Sequence, residues 1–190
     1  MYEALNILKQ YNSLGEKQLE DGTLLIGKAP HIAPLAWLHC IYSSLSRQEI
    51  INLEDSLGSE IPDSYKSFLS ISNGLGVFNT TLSLYGYRRN YNRNIIDVWQ
   101  PFNILTPNIS ERPSNDVSNI FFIGSYSWDG SLLYIDKITN KVHICKRNNA
   151  KSLYEWPDFE GMLIDELKRL VTLFDKEGKK YDNKKSTLPF

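Results

Sequence analysis

This chain is poor in the residues that usually carry chemistry. Its 190 residues include two cysteines, three histidines and two methionines. Cys40 and Cys145 lie far apart in apolar segments, so the sequence offers no disulfide framework and reads as a reduced intracellular protein. No apolar run approaches the ~20 residues needed to span a bilayer. Met1 leads straight into Tyr2-Glu3-Ala4-Leu5-Asn6, without the basic and apolar stretches of a signal peptide, so the cytoplasm is the expected compartment. A formal net charge of −1 provides no global field to attract nucleic acid or a membrane. There is neither an internal repeat nor a composition break that marks a second domain.

What is present is an ordinary globular composition, 42% hydrophobic and 23% charged. A chain of this length buries roughly 70% of its unfolded surface, so its stability requires neither metal nor disulfide. The most informative stretch runs from Ile61 to Gly74. Pro62 suits a first helical turn, where its missing N–H has no intrahelical partner. Tyr65, Phe68 and Leu69 then make one apolar stripe at helical spacing. Asn73-Gly74 tolerates the left-handed conformation that closes a helix, and β-favouring residues follow.

Elsewhere the residues predict a short helix over 2–12, a strand over 23–26 closed by Gly27, and a helix over 34–45. Ser46-Arg47-Gln48-Glu49 is a capping box, opening a helix that presents Ile50, Leu53 and Leu57 and ends at Gly58. Strands are expected near 75–79 and 82–88, followed by a long connection broken by Pro101, Pro107 and Pro113. Phe121-Phe122-Ile123 reads as a buried strand. Turns at Asp129-Gly130 and Asn140-Lys141 then predict two successive antiparallel hairpins. A final helix runs from Asp158 through Phe159, Met162, Leu163, Leu167, Leu170 and Phe174, ending at Gly178, with Trp156 stapled to its first turn. Trp37, Trp99 and Trp156 are expected in the core. Helices grouped early, antiparallel strands and one closing helix predict an α+β fold, an antiparallel (mixed) sheet with helices packed around it. Residues 46–178 form its main body, with 1–45 as an extension packed on the same domain and 179–190 as a flexible tail.

The blocks between residues 46 and 175 resemble the SUKH superfamily, which includes Smi/Knr-type regulators of fungal cell-wall synthesis and many bacterial immunity proteins. The resemblance is carried by Leu57-Gly58, Ile61-Pro62, Tyr65, Phe68-Leu69 and Asn73-Gly74. Ile123-Gly124, Gly130, Tyr134, Asp136, Val142, Trp156 and Phe159 continue the order. The segment before Ser46 and the connection from Tyr87 to Ser118 have no counterpart in that pattern. The resemblance implies a single-domain binding protein without catalytic activity or cofactor. Its partner would be another protein, either a toxin domain that it occludes or, alternatively, a component that it regulates in cell-wall synthesis or signalling.

Catalytic frames are weak. Gly22 to Lys28 fits the spacing of a phosphate-binding loop, but Ala29 replaces the hydroxyl that would hold Mg²⁺ and the interior is apolar. His143 and Cys145 share a strand face, and His39-Cys40 are adjacent, yet no spacing matches a zinc frame. Trp128 stands where a nucleophile elbow would need glycine. Tyr85, Tyr87, Arg88, Arg89, Tyr91 and Arg93 interleave aromatic and basic side chains. That mixture suits a protein interface, single-stranded nucleic acid or a solvated loop; the near-neutral net charge weighs against nucleic acid. Trp128 and Asp129, at a hairpin tip, are the other exposed candidates, the alternative for Trp128 being local packing. With Asn73 beside the cluster, these residues make up the expected contact surface for a partner.

Overall fold

Short apolar runs separated by tight turns favour strands that pair with their neighbours in the chain, and here every one does. The computed structural model describes residues 1–91, 98–113, 115 and 118–190. Among the described residues, nine strands form one sheet in sequence order: β1 (Glu16–Gln18), β2 (Leu24–Lys28), β3 (Trp37–Ile41), β4 (Leu75–Val77), β5 (Leu82–Leu84), β6 (Ile120–Tyr126), β7 (Leu132–Asp136), β8 (Val142–Lys146) and β9 (Asn149–Trp156). All eight pairings are antiparallel. The helices are α1 (Tyr2–Leu8), α2 (Arg47–Leu57), α3 (Asp63–Leu69) and α4 (Phe159–Val171). This is an α+β single domain.

Period-two alternation sends Phe121, Ile123, Leu133, Ile135, Val142 and Ile144 into the main core, which the helices share. The intervening Ile120, Phe122, Leu132, Tyr134 and Cys145 form a smaller cluster on the other face. The main core is centred on Tyr65, Phe68 and Phe159, whose ring centroids lie 5.2–5.3 Å apart. Trp156 is buried against α4, and the capping box of α2 is present in both directions. Trp37 and Trp99 are only half-buried.

Four further expectations change. The segment over 34–45 holds β3 instead of a helix. Leu38, His39 and Cys40 are buried consecutively while Leu35 is exposed, so no helical stripe exists. Ladders to β2 and β4 on both sides outweigh the weak helical spacing. The closing helix stops at Val171, not Gly178. Asp175 Oδ1 accepts the N–H groups of Glu177 and Lys179, a local alternative to helical bonding. Residues beyond 179 lie against the body: the Tyr181 N–H donates to the Leu173 carbonyl and Arg169 donates to that of Thr187, at 2.6 Å. Helix α3 ends at Leu69, and Asn73-Gly74 comes later, with a different task.

His39 sits on β3 among Tyr11 and Phe78, ring centroids 5.3 and 4.7 Å away, and accepts the Phe78 N–H at 3.4 Å. Burial pushes its pKa down to about 3. An unfolded histidine takes a proton below about pH 6.5 whereas the folded one stays neutral, so stability is complete above that pH and falls as the pH drops. Between pH 6.5 and 4, the wild type should lose about 1 kcal/mol per pH unit more than His39→Phe, measured by urea unfolding. Parallel pH profiles would refute this.

Candidate binding surface

The aromatic–basic segment follows β5, and the motif-bearing helix α3 controls where it goes. The Tyr65 hydroxyl is fully buried, 2.6 Å from the Tyr85 carbonyl and 2.9 Å from that of Ile123. Burial holds its pKa well above the usual phenol value, so it stays a donor. It thus grips the point where the chain leaves the β5–β6 ladder. Gly86 turns instead to the 102–104 segment, its N–H donating to Phe102 and its carbonyl accepting from Ile104.

Asn73 closes the next position. Its Nδ2 donates to the Tyr87 carbonyl at 2.8 Å and its Oδ1 accepts the Tyr87 N–H at 2.7 Å. The side-chain amide therefore pairs with a whole residue as a neighbouring strand would. Gly74 has φ of +92°, and a Cβ there would approach the Leu84 carbonyl oxygen to 2.7 Å. A Cβ on Gly86 would meet the Asn73 carbonyl oxygen at 2.3 Å. The Asn-Gly pair is thus a side-chain clamp for the loop rather than a helix stop.

Asn73 itself is buried, so it positions the surface and does not form it. Tyr85 is also buried, at the floor of a cleft of about 270 Å³ that Phe102, Glu111, Ser125, Gly130 and Arg147 help to line. Tyr87 and Arg88 are half-buried, while Arg89 and Tyr91 are exposed. Arg89 binds Glu49 at 2.7 Å and reaches Ser43 Oγ and the Ser44 carbonyl at 3.0 Å, tying the loop to the start of α2. This bond, with the capping contacts of Ser46, brings the Glu49 pKa down to about 2. Arg88 lies 5.1 Å from the Tyr91 ring centroid. With Asn73, Trp99 and Gln100, Arg89 borders a second cleft of about 360 Å³. Arg93 lies outside the described residues. Trp128 is 43% exposed, with the Lys180 ammonium 4.4 Å from its ring centroid, and Asp129 accepts the Ser131 N–H to shape the turn. Tyr85 and Arg89 therefore border separate clefts, and the Trp128 turn shares only Gly130 with the first.

Sequence reasoning missed Asn108. This buried residue repeats the clamp on β6, where its side chain accepts the Phe122 N–H at 2.9 Å and donates to the Phe122 carbonyl at 2.8 Å. No local pattern distinguishes it from any loop asparagine.

The weak catalytic frames are otherwise occupied. The loop-like spacing from Gly22 is filled by β2. Ser152 Oγ and Glu155 Oε2 lie 2.9 and 3.7 Å from the same nitrogen of His143, Nδ1. A proton relay needs one partner on each ring nitrogen, so this is not a Ser-His-acid triad. Among the described residues no group of three His, Cys, Asp or Glu converges as for a metal. No described helix is long and apolar enough to cross a membrane.

The SMI1 / KNR4 family (SUKH-1) profile matches residues 44–165, a span that contains α2, α3, the Asn73 clamp and strands β4 to β9. The chain belongs to that family. No curated protein matches it at a significant level. In this SUKH protein the motif residues Tyr65, Asn73 and Gly74 serve to hold backbone, and the strands β1 to β3, which precede the matched span, extend its sheet.

Replacing Asn73 by Ala leaves both backbone groups of Tyr87 without this partner, at a cost of about 2–4 kcal/mol. Arg89→Ala, at a more exposed pair, should cost no more than about 1 kcal/mol. Urea unfolding midpoints compare the two, and equal losses would show that the clamp carries no special weight.

Proposed function

We propose that this SUKH protein is a non-catalytic binding domain of the cytoplasm, an immunity protein that neutralises a cognate toxin domain by occlusion. The observation that carries the reading is the family match over residues 44–165, because bacterial members of the superfamily typically act as antidotes. The geometry lends support. A loop clamped at Tyr85 and Tyr87 presents Arg88, Arg89 and Tyr91 on a rigid base, and Trp128 stands half-exposed on a separate turn. Preformed aromatic and arginine side chains lose little entropy on association and concentrate binding energy.

The test is co-expression with a toxin gene adjacent to the gene for this protein. Host growth should be restored when this protein is present. Equal toxicity with and without it would defeat the antidote role.

A further inference from the structure

Three segments far apart in sequence meet beyond the β4–β5 end of the sheet. The first is the β4–β5 connection, where Phe78, Asn79 and Thr80 have φ of 45°, 50° and 69°. Three consecutive non-glycine residues in the left-handed region crowd their Cβ atoms against the backbone, and such strain persists only where surrounding contacts enforce it. Here the Phe78 ring stacks on Phe174 at 3.9 Å and the Asn79 N–H donates to the Leu38 carbonyl at 2.8 Å. The second segment is the Trp128 turn, joined to the first by the Ser127 N–H donating to the Thr81 carbonyl at 3.1 Å. The third is the C-terminal segment, where Phe174 bridges to Lys180, and Lys180 covers the Trp128 ring.

Between residues 175 and 185 the chain carries five lysines against three carboxylates, although the whole protein has a net charge of −1. Lys176, Lys179, Lys184 and Lys185 are exposed, as is Tyr181. The backbone around Lys176 and Lys179 is held by the bonds from Tyr181 to Leu173 and from Asp175 to Lys179, and Asp182 accepts the N–H groups of Lys184 and Lys185, so the charges project from an ordered frame. A local positive field on a nearly neutral protein selects partners by surface, not by net charge.

We propose that this end of the molecule, formed by the 78–81 connection, the Trp128 turn and the 175–185 lysines, docks an acidic protein surface. The proposal rests on the protein-binding reading above and names its partner's chemistry. Carboxylates of the partner would pair with the lysine ammoniums while the exposed part of the indole packs against its apolar rim. A nucleic acid fits less well. One face of Trp128 already carries the Lys180 ammonium, and the 175–185 segment has no arginine to fork onto phosphate.

The test uses the full chain and the variant Lys179→Glu/Lys184→Glu/Lys185→Glu, with Lys→Gln at the same positions should the first fail to fold. Poly-L-glutamate and a mixed-sequence single-stranded oligonucleotide are titrated separately at low and physiological salt. The wild type should bind poly-L-glutamate more tightly than the oligonucleotide, and the variant should lose about tenfold or more. Tighter binding to the oligonucleotide, or equal binding of poly-L-glutamate by wild type and variant, would overturn the proposal. In the co-expression assay, protection by wild type and not by the variant supports it. Equal protection by both overturns it while leaving the antidote role intact. Failure of the wild type to protect defeats the antidote role alone, and the titration still decides the surface.

Discussion

The buried amide of Asn73, pairing with both backbone groups of Tyr87, is the constraint on which the arrangement of the exposed surface depends. A strand leaving a ladder has unpaired N–H and C=O groups, and these are costly to bury. Here the chain exits the β5–β6 pairing at Tyr85, and three devices receive it in turn: the Tyr65 hydroxyl, the 102–104 segment and the Asn73 side chain. Close approach at Gly74 and Gly86 makes room for them. Asn108 does the same for Phe122, so two asparagines replace missing strand neighbours at two separate points.

The same logic explains why helix α3 matters beyond its length of seven residues. Its apolar stripe packs Tyr65 and Phe68 against Phe159 of α4, while the tyrosine hydroxyl reaches through the core to two carbonyls. One side chain thus couples hydrophobic packing to backbone register. A second internal network, in which Glu166 accepts from Tyr126 at 2.5 Å and from Arg169 at 2.6 Å, ties α4 to β6 and, through Arg169, to Thr187. The charge of Glu166 is tolerated in a buried site because donors surround it.

Such internal fixation leaves the periphery to function. Arg89 anchors the loop to Glu49, yet Tyr91 next to it is 70% exposed. The expected surface residues divide by burial: Asn73 and Tyr85 support, Arg89 and Tyr91 face outward. Alternation alone could not have sorted them, because the chain at Gly86 switches neighbours from β6 to the 102–104 segment.

Local chemistry was enough to read the capping box at Ser46, the amphipathic α4, the hairpins through β7 and β8, and the ordered motifs that resemble SUKH proteins. These depend on residues within a few positions of one another, where periodicity and turn preference dominate. The strand over 37–41 was decided by its two flanking ladders, the end of α4 by the fold-back of residues 173–181, and the task of Asn73 by a loop fourteen residues away. Long-range hydrogen bonding and shared burial override weak local preference, and neither is written in any short window of sequence.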